Sequence, residues 1–169
     1  MSELRGETVV LRPLAPDDVA ALRAIREAPE VSAWWGSLED DFPLGDEPTA
    51  TRFTILAGGE IAGMIQFTEE EEQDYRSAEI DLFLGAAYHG QGLGSDAVRV
   101  LADYLVAERG HHRIVMVPAA ENAAAIRAYE KAGFRRVGVL ERSWRDEQGR
   151  WRDELYMERV EKRLVDSAS

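Results

Sequence analysis

The chain has 169 residues, of which 45% are hydrophobic, and it contains no cysteine. This size and composition predict one globular domain over residues 1–169, and they exclude disulfides, thiolate metal sites and a cysteine acyl-enzyme. The formal net charge of −12 disfavours nucleic acid and anionic membranes as partners. The sequence has no apolar signal segment and no run that approaches ~18 apolar residues, so we expect a cytoplasmic protein.

The first elements that the sequence predicts are a strand and a helix. Residues 7–12 are rich in β-branched side chains and predict the strand. Pro16, with two aspartates behind it, fits the first turn of a helix, and Pro29 predicts the end of that helix. Residues 30–50 predict an irregular segment that contains Trp34-Trp35-Gly36. Five acidic residues follow Gly36 in that segment: Glu39, Asp40, Asp41, Asp46 and Glu47.

A hairpin and a further strand follow. Residues 51–57 and 60–68 predict two strands that are joined by a turn at Gly58-Gly59. The block 69–74 holds five acids in six residues and predicts a solvated loop. Residues 77–84 form the next predicted strand, which leads to a run of glycines.

Residues 89–95 read His-Gly-Gln-Gly-Leu-Gly-Ser and separate that strand from an amphipathic helix. An apolar face at Ala97, Leu101, Tyr104 and Leu105 indicates the helix. Free N–H groups and the positive end of the helix dipole lie at such a helix start, and glycine removes the Cβ atoms that would keep an anion away. The turn is therefore either a phosphate cradle or a tight strand-to-helix turn.

Two phosphate-binding motifs do not fit this turn. A P-loop requires Gly-Lys-Ser/Thr, and no lysine stands here. Gly92, Gly94 and Ala97 match the spacing of a dinucleotide-binding fingerprint, but no acidic residue ends the next predicted strand, residues 112–117. A pyrophosphate site would have to be of another kind.

The rest of the chain predicts one helix and a closing set of strands. The helix covers residues 121–132 and stops at Gly133. A strand over residues 134–140 precedes a hairpin over residues 144–157, which turns at Gln148-Gly149. The polar tail after that hairpin is expected to fray.

Three residues of the predicted helix share one face, because Asn122, Ile126 and Tyr129 stand at i, i+4 and i+7. A polar residue near the helix start and a phenol two turns later can contact one elongated ligand. The residues alone favour a simpler interpretation, in which Asn122 caps the helix and Tyr129 is a half-buried core residue.

Both motifs resemble those of the Gcn5-related N-acetyltransferases (GNAT). That family's pyrophosphate loop reads Arg/Gln-x-x-Gly-x-Gly/Ala; residues 89–94 match both glycines and carry His89 at the first position. Residues 122–134 resemble the family's Asn-x-x-Ala-x-x-x-Tyr-x-x-x-Gly-Phe pattern, with one predicted strand between the two motifs. The resemblance implies an α+β fold (α/β/α) with a mixed, mostly antiparallel sheet and helices on both faces. The fourth and fifth strands of that sheet splay apart and admit acetyl-CoA.

The resemblance also implies how acetyl-CoA is held. Backbone N–H groups of the glycine turn should bind the pyrophosphate. The end of strand 77–84 should pair with the pantetheine arm and polarise the thioester carbonyl, and Asn122 should bond to the arm. The implied cofactor-binding residues are Leu82, Phe83, Leu84, His89, Gly90, Gln91, Gly92, Gly94, Ser95, Asn122, Ala125 and Tyr129.

Direct attack of an amine on a thioester needs a base for the amine and an acid for the departing thiolate, on opposite sides of the acetyl carbon. The missing cysteine fits this one-step transfer, and the resemblance implies Tyr129 as the acid. Glu79 and Asp81 point to one face of strand 77–84, and either can take or orient the amine proton, directly or through water. We prefer Asp81, because an ion pair with a neighbouring strand is an equally good role for Glu79. No metal is implied.

The acceptor is predicted from the segment Trp34-Trp35-Gly36, which resembles one in aminoglycoside 6′-N-acetyltransferases. Those enzymes carry an aspartate at about the place of Asp81, so Trp34, Trp35 and Asp81 are candidate substrate-binding residues. The two tryptophans would equally serve to anchor the segment to the core. The acidic stretches 39–47 and 69–74 suit a polycation. We therefore expect 6′-acetylation of an aminoglycoside, an antibiotic-resistance activity, by a monomer or homodimer.

Three alternatives to this acceptor are compatible with the sequence. Residues 141–157 resemble the closing segment of protein N-terminal acetyltransferases of the ribosomal-protein type. A siderophore or small-amine acyltransferase also fits the tryptophans. A catalytically silent acyl-coenzyme A binding protein is disfavoured by the retained Tyr129.

Overall fold

The computed structural model describes residues 2–36, 38–45 and 50–166, and its described strands form one mixed sheet. The strands are β1 (Leu4–Arg5), β2 (Val10–Pro13), β3 (Ala50–Ala57), β4 (Glu60–Glu70), β5 (Ser77–Leu84), β6 (Arg113–Met116), β7 (Arg135–Arg145) and β8 (Trp151–Val160). Their order across the sheet is β1-β2-β3-β4-β5-β6-β8-β7. Only the β5–β6 pair is parallel among these neighbours, which confirms a mixed, mostly antiparallel sheet.

Strands β5 and β6 diverge along their length. They pair at Ala78–Ile114 and Glu79–Val115, and the described residues of β5 beyond Glu79 have no partner on β6. On the other side, β5 pairs with β4 along its whole length, from Ser77 to Leu84. The family's fourth and fifth strands correspond to β5 and β6 here, because the short β1 adds one strand to the count. The divergence of β5 from β6 is therefore the predicted gap.

Helices cover both faces of the sheet. They are α1 (Val19–Glu27), α2 (Pro29–Trp35), α3 (Leu93–Ala107), α4 (Ala123–Lys131) and α5 (Arg163–Asp166). Successive strand residues point to opposite faces. On β5, Leu82 packs in the cluster with α3 and α4, whereas Phe83 packs in the cluster with α1 and α2. The two helix pairs therefore lie on opposite faces, as predicted. Within the described ranges, none of the helices has the length and apolar character needed to cross a bilayer.

Helix α2 is a correction to the sequence analysis, which predicted irregular structure after Pro29. Pro29 occupies the first helical position, where its missing N–H costs nothing, and Ala28 before it is extended. Val31 is 3% exposed and Trp35 packs beside it, so burial of this face stabilises the short helix. The proline therefore separates two helices and begins the second. The acidic residues Asp46 and Glu47 of this segment lie outside the described residues.

The acidic block at residues 69–74 is a second correction. Glu69 and Glu70 belong to β4, and only the following residues are exposed outside a strand. The Glu69 carboxylate is half-buried and lies 2.6 Å from both Arg109 and His111. Arg109 and His111, which are remote in sequence, thus stabilise Glu69 in a half-buried position, although its acidic neighbours predicted a solvated residue.

The start of α3 is held in place by Asp96. Its carboxylate is 6% exposed and accepts hydrogen bonds from the backbone N–H groups of Glu7, Thr8 and Val9 at 2.8–3.2 Å, and it pairs with Arg99. Burial works to raise the pKa of Asp96, but the donated hydrogen bonds outweigh it and lower the pKa. Asp96 therefore joins the β1–β2 connection to the helix that follows the glycine turn.

We expect Asp96→Ala to lower the free energy of unfolding by about 2–4 kcal/mol, because several donors lose a charged acceptor. Urea unfolding at neutral pH measures this change. The control is Asp103→Ala on the same helix, which removes a largely exposed ion pair with Arg159 and should cost less than about 1 kcal/mol. The pKa of Asp96 is lower in the folded state than in the unfolded chain, so its carboxylate stabilises the fold at neutral pH and this stabilisation is lost in acid. The free energies of unfolding of Asp96→Ala and Asp103→Ala should therefore become similar as the pH falls. Equal losses at neutral pH would contradict this role.

Candidate active site

The glycine turn between β5 and α3 has the backbone of an anion cradle. Gly90 and Gly92 have φ values of 72° and 77°, a left-handed conformation that favours glycine. Gly92 is the N-cap of α3, and no side chain caps this helix start. A Cβ added at either glycine would meet no atom within 4 Å, so both positions face open space. The N–H groups of the first turn are thus available to a ligand.

A cleft of about 630 Å³ opens beside this turn, between β5, α2 and α4. It brings together every residue that was predicted to hold the cofactor except Gln91, whose side chain donates to the Ala87 carbonyl at 2.9 Å. The predicted residues that line it are Leu82, Phe83, Leu84, His89, Gly90, Gly92, Gly94, Ser95, Asn122, Ala125 and Tyr129. We call this cavity the cofactor cleft.

Side chains occupy part of the open β5 edge. Leu82 donates its N–H to Asp81 Oδ1 at 3.0 Å, and its carbonyl accepts from Trp35 Nε1 at 3.3 Å. The carbonyl of Leu84 is bonded to His89 Nε2 at 2.8 Å. A ligand that pairs with this edge must therefore replace these contacts, which keep the buried backbone groups satisfied in the free chain.

Asn122 fits both of its predicted roles. Its Oδ1 accepts from the Ala125 N–H at 3.2 Å, so it caps α4. Its side chain also lines the cofactor cleft. The side-chain NH₂ group donates to none of the described residues and is available to a ligand.

Two further cavities continue from the cofactor cleft. A junction cavity of about 230 Å³ shares Trp34, Trp35 and Tyr129 with the cofactor cleft. It shares Asp81 and Glu154 with a third cavity of about 430 Å³. Because both carboxylates predicted for the acceptor amine, Glu79 and Asp81, line this third cavity, we call it the acceptor cleft; its other polar lining residues are Ser77, Arg113, Glu154 and Tyr156. The junction cavity therefore lies between the two clefts. It shares the phenol of Tyr129 with the cofactor cleft and the carboxylates of Asp81 and Glu154 with the acceptor cleft.

Asp81 is a base candidate at the junction. Its carboxylate is open to the cavities, but it is surrounded by protein, and this burial raises its pKa to about 7. The Leu82 N–H opposes the rise, while the charges of Glu79 and Glu154 add to it. Glu79 also has a raised pKa, from burial and from Glu154, but it lines the acceptor cleft and not the junction. Asp81 is thus the better placed of the two carboxylates.

Tyr129 is an acid candidate on the other side. The residue is 8% exposed, and burial together with the charge of Asp81 raises its pKa. The phenol therefore keeps its proton at physiological pH and can donate it. Tyr129 and Asp81 both line the junction cavity, which Tyr129 shares with the cofactor cleft and Asp81 with the acceptor cleft, and the two groups are close enough for the charge of Asp81 to act on the phenol.

The two tryptophans of α2 have different environments. Trp35 packs edge-on against Phe83 with ring centres 5.2 Å apart, and the Arg26 guanidinium lies 5.3 Å from its ring centre. Trp35 anchors α2 to the core, which is one of the two roles that the sequence predicted for the tryptophans. It also lines both the cofactor cleft and the junction cavity. Trp34 lines the same cavities but is 37% exposed, so its ring is the more accessible one.

Glu154 and Trp144 were missed by the sequence analysis. Both line the junction cavity, Glu154 from β8 and Trp144 from β7. They lie within residues 141–157, whose resemblance to protein N-terminal acetyltransferases assigned neither of them a role, and the position of the hairpin brings them to the site. The two acidic stretches, in contrast, contribute none of their described acids to the three cavities. The negative charge at the site comes from Glu79, Asp81 and Glu154.

No cluster of metal-ligating side chains occurs among the residues that the structure describes. The titratable groups at the junction include two carboxylates and a phenol that line one cavity, a set that suits proton transfer.

Comparisons with known proteins place these features in context. Residues 8–135 match the acetyltransferase (GNAT) domain family. Aminoglycoside N(6')-acetyltransferase type 1 from Klebsiella pneumoniae is 30% identical over 156 residues, covering 80% of this chain and 78% of that protein. Spermidine N(1)-acetyltransferase from Escherichia coli (strain K12) is 27% identical over 144 residues, covering 80% and 77%. The crystal structure of aminoglycoside acetyltransferase AAC(6')-Ib with coenzyme A and kanamycin has a TM-score of 0.76 and 28% identity, over 96% of this chain and 100% of that chain.

Proposed function

Because the chain belongs to the GNAT acetyltransferase family and is an acetyl-CoA-dependent enzyme, we propose that it acetylates the 6′-amine of an aminoglycoside by direct transfer. The observation that carries the proposal is that Asp81 and Tyr129 line one junction cavity, which Asp81 shares with the acceptor cleft and Tyr129 with the cofactor cleft. Direct transfer needs a base and an acid in this arrangement.

The proposed chemistry assigns one proton to each residue. An ammonium has no lone pair, so Asp81, with a pKa of about 7, takes a proton from the acceptor, directly or through water. Bound acetyl-CoA supplies the activated thioester. As the N–C bond forms and the C–S bond breaks, Tyr129 gives its proton to the departing sulfur, and the second proton that the nitrogen loses restores the Tyr129 phenol, directly or through water. Since the chain contains no cysteine, a cysteine acyl-enzyme does not enter the reaction.

The cofactor cleft fits the proposed position of acetyl-CoA. The glycine turn offers free N–H groups to a pyrophosphate, and the β5 edge offers backbone groups to an extended arm. Asn122, the N-cap of α4, adds an amide group that donates to no residue in the described ranges. These residues hold and orient the donor, and Tyr129 lines both this cleft and the junction cavity.

A polycationic acceptor is supported by the charge of the acceptor side. Glu79, Asp81 and Glu154 border connected cavities; beside the effect of burial, Glu154 raises the pKa of Glu79, and the charges of Glu79 and Glu154 raise the pKa of Asp81, so a cation that enters relieves their repulsion. The ring of Trp34 lines the junction cavity and is accessible to a cation, whereas the ring of Trp144 already has the Arg152 guanidinium 5.9 Å from its centre. Arg113, the cation of the acceptor cleft, is already engaged by Tyr156 and Glu158.

A linear polyamine is the second candidate acceptor, because the spermidine acetyltransferase relative covers the same share of this chain as the aminoglycoside enzyme. The carboxylates described above would attract either class. The N-terminal peptide and siderophore alternatives have no comparable support from the site, where negative charge predominates.

Initial rates with matched acceptors test the proposal. Kanamycin A, which carries a 6′-amine, should turn over at micromolar to millimolar concentration, whereas an analogue with a hydroxyl at 6′ should bind and inhibit without being acetylated. Acetylation of that analogue would show that another amine is the acceptor. A higher kcat/KM for spermidine than for kanamycin would favour the polyamine.

Glu154→Gln should raise KM for kanamycin roughly 3–10-fold with little change in kcat, a loss of about 1 kcal/mol of attraction. Because Glu154 helps to raise the pKa of Asp81, the variant should also shift the rise of kcat/KM with pH to lower pH. The control is Glu71→Gln in the exposed acidic block, which should leave the position of that rise unchanged. An unaltered KM and pH profile in Glu154→Gln would contradict a role for this carboxylate at the site.

A further inference from the structure

We propose that Arg113 selects between the two candidate acceptor classes: it donates a hydrogen bond to a hydroxyl group of an aminoglycoside and repels the distal ammonium groups of a linear polyamine. The inference rests on the proposed function, because it concerns an acceptor whose reacting amine lies at Asp81. Arg113 is the first residue of β6, and it belongs to none of the motifs in the sequence.

The acceptor cleft has a direction that follows from the register of its strands. Alternate residues of β5, from Ser77 to Asp81, share one face and line the cleft. The parallel pairing of Ala78 with Ile114 places Arg113 beside Ser77. Asp81 also lines the junction cavity, whereas Ser77 and Arg113 do not. At ~3.3 Å per strand residue, the backbone of Ser77 lies about 13 Å from that of Asp81, so the cleft runs from a reacting end at Asp81 to a far end at Ser77.

The guanidinium of Arg113 is held in the acceptor cleft and brings a positive charge to it. Nη2 donates to the Tyr156 hydroxyl at 2.6 Å, and Nε donates to Glu158 at 3.2 Å. Glu158 also pairs with Arg135, so two guanidinium groups share one carboxylate and the three groups carry a net positive charge. The contact with Tyr156, which lines the acceptor cleft but not the junction cavity, holds the Arg113 charge outside the junction.

Arg113 has a hydrogen-bond donor to offer to a ligand. Its side chain is 33% exposed, and Nη1 donates to no residue in the described ranges. Guanidinium and ammonium groups are both donors without an acceptor atom, so they repel each other and form no hydrogen bond. A hydroxyl oxygen accepts, and a charged donor strengthens that bond. Arg113 therefore favours a neutral hydroxyl over an ammonium at its position in the cleft.

The two acceptor classes differ in the groups that they bring to this position. Both have an ammonium that the carboxylates of Glu79, Asp81 and Glu154 attract. A linear polyamine consists of methylene and ammonium groups, so a chain extended along the cleft brings its next charges towards Arg113. An aminoglycoside carries hydroxyl groups on the same sugar as its 6′-amine. Arg113 thus opposes the polyamine, although the carboxylates attract both classes.

Replacement of Arg113 by methionine tests the inference, with kanamycin A and spermidine as acceptors at saturating acetyl-CoA. The ratio of kcat/KM for kanamycin to that for spermidine should fall roughly 10-fold or more, because kanamycin loses a donor and spermidine loses a repulsive charge. Spermidine is also measured as a competitive inhibitor of kanamycin acetylation, and its Ki should fall. Glu158 keeps Arg135 as a partner in Arg113→Met, so we expect the variant to fold.

Two further variants separate selection of the acceptor from a structural effect. Arg113→Lys keeps the positive charge, so its Ki for spermidine should stay near that of the wild type. Arg135→Met removes the other partner of Glu158, and Arg135 does not line the acceptor cleft. Its ratio of kcat/KM values should stay within about 3-fold of the wild type, as expected for a largely exposed charge.

The outcomes distinguish this inference from the proposed function. An Arg113→Met protein with the wild-type ratio would overturn the inference, as would one that loses kcat/KM for both acceptors by the same factor, since a structural residue would have that effect. A wild type that prefers spermidine to kanamycin would contradict the proposed function and leave the inference to be judged by the change in the ratio. A wild type that acetylates neither acceptor would overturn both.

Discussion

Asp81→Asn is expected to lower kcat/KM about 10²–10⁴-fold, because the acceptor amine loses the group that takes its proton. The amide keeps the shape and the oxygen that accepts from the Leu82 N–H, so the β5 edge should be preserved. Steady-state kinetics with kanamycin measure the loss. Glu79→Gln is the matched control on the same strand, and its effect should be smaller because Glu79 does not line the junction cavity.

The pH profile distinguishes a base from a residue that only orients the amine. Asp81 has a pKa of about 7, so wild-type kcat/KM should rise as the pH passes through about 7 and the carboxylate ionises. Asp81→Asn should lose this rise. A variant with wild-type turnover, or one that keeps the rise near pH 7, would show that Asp81 is not the base.

The same raised pKa predicts the stability of this variant. The pKa of Asp81 is higher in the folded state than in the unfolded chain, so ionisation disfavours folding, and stability from this group declines as the pH rises from about 4 to about 7. Above pH 7, Asp81→Asn should therefore have a Tm no lower than the wild type. Low activity in such a protein cannot be attributed to unfolding.

Tyr129→Phe is expected to lower kcat roughly 10²-fold or more, because the departing thiolate loses its proton donor. The affinity for coenzyme A should change little, since the ring that packs in the core is kept. Stopped-assay turnover and calorimetry measure the two quantities separately. Because the pKa of Tyr129 is raised above its ordinary value, the phenol should stay protonated through pH 6–9 and add no feature to the pH profile there.

Tyr88→Phe is the matched control, because Tyr88 is a tyrosine of the same cleft that does not line the junction cavity. Its kcat should stay near that of the wild type. Equal activity of Tyr129→Phe and Tyr88→Phe would return Tyr129 to the role of a core residue.

Local patterns in the sequence predicted the parts of the site that depend on neighbouring residues. The helical period located α3 and α4, the glycines located the turn, and the spacing of Asn122 and Tyr129 placed both on one cleft. The splayed strands came from the resemblance to a family, since no feature of β5 or β6 alone indicates that they diverge.

The remaining features depend on contacts between distant parts of the chain. The buried position of Glu69 is stabilised by Arg109 and His111, which follow it by about 40 residues and could not be paired with it from the sequence. Trp144 and Glu154 lie in a hairpin whose register shifts between Leu140 and Trp144. Such a bulge changes which side chains face the site, so alternation along the strand does not predict them.

A competition experiment with the wild-type enzyme tests the central claim most directly. Kanamycin A, spermidine and a peptide with an N-terminal alanine are mixed at equal millimolar concentrations with limiting acetyl-CoA, and mass spectrometry identifies the products. We predict singly acetylated kanamycin, with NMR placing the acetyl group on the 6′-nitrogen. Acetylated peptide in the presence of unmodified kanamycin would contradict the assignment of a polycationic acceptor.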